Sequence, residues 1–194
     1  FELINMKIIA IRQPGYIPYI GFFKKIESVD TFVFLDDVQY SRTDWDNRNK
    51  IRTPEGSMWL TVPILNKSGK LLNQVEIDYS KNWVSKHKAA IKFNYEHSPF
   101  FDTYWDDIKY ILNESRKKLL DLNISLINYF ISVLQIKTKL IFSSDLHIDS
   151  MGSNKLLDIC KTLHADTYLS GEFGKNYLDI NIFENEKIQI IFEK

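Results

Sequence analysis

Two short, β-branched apolar runs, MKIIAI (residues 6–11) and TFVFLDDV (31–38), bracket a segment whose apolar residues recur at helical spacing. Phe22, Phe23, Ile26 and Val29 form that stripe. A continuous apolar strand, a helix and a second such strand in about 30 residues make a βαβ unit, which commits the chain to a parallel sheet. The link between first strand and helix, IRQPGYIPYIG, carries two prolines and two glycines. Prolines fix the path of such a corner, and glycines allow close approach of another group to the backbone. Pro18 suits the first turn of the helix.

Later segments repeat the alternation. TKLIFSSDL, TYLSG and IQIIFE read as strands, and SMGSNKLLDICKTLHAD reads as a helix with Leu156, Leu157, Cys160 and Leu163 inward. Between the two halves, SMWLTVPI (57–64) and NQVEIDY (73–79) read as an antiparallel pair. Two helices broken at Ser98-Pro99 follow, then a third carrying Leu122, Leu126, Ile127 and Phe130. The expected fold is α/β: a mainly parallel, Rossmann-like sheet flanked by helices, with a small antiparallel β and helical insertion. Residues 6–194 read as a single domain with the insertion at about 55–135, and residues 1–5 as an extension upstream of a start at Met6.

The net formal charge is zero, which argues against a general nucleic-acid binder. No apolar run nears the ~20 residues that cross a bilayer. A single cysteine precludes an internal disulfide, and Cys160 reads as core rather than nucleophile. Four dispersed histidines and that cysteine do not compose a zinc set, so no metal site is expected. A cytoplasmic protein is the expectation, and the composition allows a homodimer.

In parallel sheets ligands gather beyond the carboxyl ends of the strands. At those positions stand Gln13 and Tyr16, then Asp36, Asp37 and Gln39, and later Ser170, Gly171, Gly174 and Lys175. The corner leading to Gly21 offers a helix N-terminus suited to phosphate. It matches neither dinucleotide nor Walker motifs. Asp36 and Asp37 could orient hydroxyls, act as a base or hold Mg²⁺. SRTDWDNRNKIR reads as a charged loop in which Arg42, Arg48 and Lys50 could meet phosphate, and Asn47 and Asn49 sugar hydroxyls. His87 shares a helical face with Trp83 and is a further acid–base candidate. A rigid turn, loop acids, a solvated charged loop and a core histidine are the bland alternatives for each.

The stretches IRQPGYIPYIGFFKKIESVDTFVFLDDVQYSRTDWDNRNKI, WLTVPI and HADTYLSGEFGKNYLD together resemble the WbqC-like family. Its members are typically encoded among genes for bacterial surface polysaccharide or O-antigen synthesis. The resemblance implies a transferase that decorates a nucleotide-linked amino sugar, for example by acyl or aminoacyl transfer. The partner would then be a nucleotide sugar or other phosphorylated small molecule. In this chain Arg12 stands where the family pattern has a histidine, and Gly15 where it has a polar residue. The family pattern also continues past a strand like IQIIFE, so a further C-terminal segment is expected. A non-catalytic sugar-nucleotide-binding or scaffold subunit is the second reading. A third, nucleotidyl transfer with ATP and Mg²⁺, rests on a fold-level analogy with pantothenate synthetase, whose His-x-Gly-His motif is absent here.

Overall fold

The computed structural model describes residues 6–41, 45–65 and 69–193. Residues 1–5, read above as an upstream extension, and Arg42 lie outside them. In chain order the elements are β1 (Ile8–Arg12), α1 (Ile20–Glu27), β2 (Thr31–Phe34), β3 (Arg48–Thr53), β4 (Gly56–Thr61), β5 (Ile64–Leu65), β6 (Glu76–Ile77), α2 (Trp83–Tyr95), α3 (Phe101–Asn113), α4 (Leu119–Val133), β7 (Lys139–Phe142), α5 (Gly152–Thr162), β8 (Thr167–Ser170), α6 (Ile180–Asn185) and β9 (Gln189–Phe192). They divide into two compact units. The first holds the chain to Gln13, Tyr19–Asp36 and the residues from Gln135 onward; the second holds Pro14–Pro18 and Asp37–Leu134.

The first unit is the α/β part. Its five strands lie in the order β7-β2-β1-β8-β9, and every neighbouring pair is parallel. Both faces of such a sheet are covered, so its strands read as unbroken apolar runs. Ile9, Ala10 and Ile11 of β1 and all four residues of β2 are buried. One face carries a chain of aromatic edges, Phe22–Phe32–Phe34–Phe142, with successive centroids 5.3–5.5 Å apart. On a second cluster Leu156, Leu157 and Cys160 of α5 and Phe183 of α6 pack with Ile9, Ile11 and Val33. Burial pushes the Cys160 thiol up to about 12, so it is an inert core group.

The strand order sets the location of a site. The chain moves outward from β1 to β2 and β7, then returns to the opposite side of β1 for β8 and β9. The order therefore reverses between β1 and β8, the kind of position beyond whose strand ends ligands of open parallel sheets gather.

In the second unit β3 and β4 form an antiparallel hairpin with Thr53 paired to Gly56. Gly56 has φ +132°, a conformation strained for any L side chain. The segment expected to be a charged loop is thus half strand. SMWLTVPI, expected as one strand, is split after Thr61, where Pro63 supplies no N–H to a ladder. β5 and β6 pair antiparallel. The break at Ser98-Pro99 separates α2 from α3 as anticipated. Leu119, Leu122 and Leu126 of α4 are fully buried, in one cluster with Tyr16, Leu60, Val62 and Leu72. Among the described residues no helix is long and apolar enough to cross a membrane.

The proline-glycine segment of the opening motif belongs to this second unit. Asn123, fully buried, donates through Nδ2 to the carbonyls of Pro14 (2.9 Å) and Asp46 (2.7 Å). The Tyr16 N–H donates to the Trp45 carbonyl at 3.1 Å. A Cβ on Gly15 would meet that same carbonyl oxygen at 2.9 Å, so its missing side chain serves the protein's own backbone. Asn123→Ala leaves two buried carbonyls without their donor. Urea denaturation is expected to show a loss of about 2–3 kcal/mol.

Candidate functional site

At the carboxyl end of the central strand stands Arg12, half-buried, with its guanidinium carbon 5.8 Å from the Tyr19 ring centroid and 5.7 Å from that of Phe22. It makes no ion pair among the described residues. Its backbone carbonyl accepts the Leu35 N–H at 3.0 Å, which ties the ends of β1 and β2 together. Gln13 follows, half-buried. Across the reversal point β8 ends in Ser170, buried, and Gly171. A Cβ on Gly171 would lie 3.8 Å from Lys25 Nζ. The parallel sheet thus brings Arg12, Gln13, Ser170 and Gly171 to one edge.

Lys25 is nearly inaccessible, and its Nζ lies 3.0 Å from Glu193 beyond β9. Burial lowers the Lys25 pKa, the Glu193 contact opposes that, and the nearby Arg12 charge adds to the lowering. Partial burial raises the Tyr177 phenol against a smaller opposing pull from Arg12. Arg12 is therefore close enough to both groups for its charge to be felt. Lys175, exposed, holds its Nζ 5.4 Å from the centroid of the Phe192 ring. Gly174 is glycine for a steric reason: a Cβ there would fall 2.1 Å from Ser170 Oγ, with Leu178 and Phe192 also close. Gly21 is likewise roofed by the Tyr19 ring.

Asp36 is buried and engaged on both oxygens. Its Oδ1 accepts from the Ser144 N–H (3.0 Å) and Ser143 Oγ (3.2 Å), and its Oδ2 from Ser144 Oγ (2.8 Å). The carboxylate clamps the ends of β2 and β7, which is why the run TFVFLDDV stops being strand at Phe34. Asp37, the next residue, opens the second unit's long segment.

Within the second unit the structure gathers another set. Tyr16 Oη and His87 Nδ1 are 2.9 Å apart, both residues buried. Which of Tyr16 and His87 donates across that contact depends on the imidazole tautomer, and a backbone interaction with Thr61 also bears on the ring. Burial lowers the His87 pKa to about 4 and holds the ring neutral; burial also raises the Tyr16 phenol. Asn49 Nδ2 donates to the carbonyls of Tyr16 (3.1 Å) and Ile17 (2.7 Å). Asn47 is buried, and its Nδ2 donates to the Val62 carbonyl at 2.8 Å. Arg48 and Lys50 lie over the Trp59 ring at 4.6 and 5.0 Å, and Trp45 lies against that ring with centroids 5.1 Å apart. Gln39 is exposed and bridges to Leu71. Among the described residues no group of three His, Cys, Asp or Glu side chains comes together that could hold a metal ion.

Sequence reasoning passed over Lys25, Tyr177 and Glu193; it placed Arg12 beyond the first strand but gave it no role there. Lys25 left a signal: it occupies the spacing of the buried stripe Phe22-Ile26-Val29, where a charged residue calls for a partner. Nothing local marks Glu193, because its partner is remote in sequence.

A model of the WbqC-like protein family matches residues 13–194. An uncharacterized protein of Mycobacterium tuberculosis (strain ATCC 25618 / H37Rv), Rv1507c, is 35% identical over 188 residues, which is 95% of this chain and 81% of that relative.

Two outcomes follow from this geometry. Gly174→Ala forces Ser170 Oγ aside and should cost about 1–3 kcal/mol in urea denaturation, with part of that recovered by adding Ser170→Ala. His87 titrates near 4 when folded, against 6.5 for the model imidazole. Below about pH 6.5 the unfolded chain takes up a proton that the folded chain refuses. Stability therefore falls as pH drops from about 6.5 toward 4, by about 2–3 kcal/mol. Unfolding curves across that range should show the drop in the native protein and lack this component in His87→Gln.

Proposed function

Because the chain belongs to the WbqC-like protein family, we propose that it is a transferase of bacterial surface-polysaccharide (O-antigen) biosynthesis, modifying a nucleotide-linked amino sugar by acyl or aminoacyl transfer. The observation that carries this reading is Arg12: a half-buried guanidinium at the strand-order reversal, ion-paired to no carboxylate among the described residues. A cation held near two aromatic rings at the carboxyl end of the central strand is matched to a phosphate, which a guanidinium grips through two parallel N–H bonds. Lys175 adds a second cation, Gly171 leaves its backbone approachable, and Gln13 offers neutral hydrogen bonds. Taken by itself, the second unit has Arg48, Lys50 and Gln39 as its own candidates for phosphate or sugar contacts.

In the transfer the sugar's amine nitrogen bonds to the acyl carbon, the bond from that carbon to its leaving group breaks, and the amine proton passes to a base. Asp37 is the sequence-derived candidate for that base. Asp36, with both oxygens engaged, positions the strand ends. His87 is buried with its Nδ1 on the Tyr16 hydroxyl, so its part is to hold Tyr16.

Calorimetric titration with UDP-, dTDP- and GDP-linked amino sugars should give binding, weakened about tenfold or more by Arg12→Ala. No heat above background with any of them removes the reading. The enclosure of His87 and the engagement of Asp36 favour a second reading, a sugar-nucleotide-binding subunit without catalysis. Binding that survives Asp37→Asn, with polysaccharide modification in cells unchanged, would select it.

A further inference from the structure

The second unit carries a half-open apolar pocket of about 380 Å³ where α2 gives way to α3 at Ser98-Pro99. Ile51 of β3, Ile91 and Tyr95 of α2, Trp105 and Ile108 of α3 and Phe130 of α4 are among the residues that line it. No charged side chain lines it. The Tyr95 hydroxyl already accepts the Arg52 N–H at 3.0 Å. At the rim Phe100 is 67% exposed, and Phe101 stacks on Trp105 with centroids 5.1 Å apart.

The lining decides the class of occupant. A sugar or phosphate entering it would surrender hydrogen bonds to water at roughly 2–7 kcal/mol for each group left unpaired. A hydrocarbon gains about 25 cal/mol for every Å² it buries. The volume falls within the ~300–1,000 Å³ of small-molecule sites. At ~30 Å³ per water-sized group it has room for about a dozen carbons.

We propose that this pocket binds one flexible hydrocarbon chain of about ten to twelve carbons, acyl or isoprenoid, with its polar head left in water. The inference goes beyond the phosphate reading and does not rest on it. The test uses dodecanoate brominated at its terminal carbon, since bromine quenches only nearby indoles. Of the protein's four tryptophans, Trp105 lines the pocket. Partial quenching at micromolar concentration is expected, lost in Trp105→Phe. Ile108→Trp, which fills the space, should weaken it about tenfold or more. If that variant fails to fold, methyl NMR of the native protein replaces it, with shifts expected at Ile91 and Ile108. Reversal of the quench by unlabelled dodecanoate but not geranyl phosphate supports an acyl occupant, and the opposite pattern an isoprenoid one. Quenching absent below millimolar concentration, or unchanged in Trp105→Phe, overturns the proposal. So does sedimentation showing that a second copy of the chain occupies the face.

Discussion

A buried carbonyl must find a donor, and in the corner after β1 the donors come from far along the sequence. Asn123 serves Pro14, and Asn49 serves both Tyr16 and Ile17. Asn123, Pro14 and Tyr16 are buried and Ile17 and Asn49 half-buried, so such bonds are costly to lose. The constraint explains the punctuation of the opening motif. Gly15 leaves room for the Trp45 backbone, and Ile17 is held at φ +41°, a conformation that a β-branched residue adopts only under external restraint. The strain is sustained by Asn49 on the Ile17 carbonyl and by packing of the Ile17 side chain against the second unit's core.

The first unit follows a different logic. Its strands need no special residues to form; they need their carboxyl ends fixed. Asp36 does this between β2 and β7, and the Arg12 carbonyl does it between β1 and β2. With the backbone so satisfied, the side chains of Arg12, Gln13 and Lys175 are not consumed in holding the fold. That division leaves acids to hold the architecture and keeps the Arg12 guanidinium outside any ion pair among the described residues.

The parallel sheet was legible because its strands are buried on both faces and read as unbroken apolar runs. The long helices were legible because their stripes are wide and Pro99 marks the break. β3 was hidden: RNKIRT alternates charge with a single inward Ile51, and its pairing depends on a turn whose decisive property is the φ of Gly56. Polar residues beyond the strand ends could be placed from the fold class alone. Their roles could not. Asp36 looks the same in sequence whether it clamps two strands or bears a catalytic proton, and His87 gives no sign that Tyr16 and Thr61 enclose it. The family resemblance, carried by the first corner, WLTVPI and the Ser170–Lys175 loop, agrees with the match over residues 13–194.

The contact between Lys25 and Glu193 is lopsided: the ammonium is buried, whereas the carboxylate keeps about a third of its surface in water. Losing Glu193 therefore strands a buried charge, while losing Lys25 leaves an acid that solvent still reaches. Of two positions 168 residues apart in the chain, the acid is the one the fold can less easily give up.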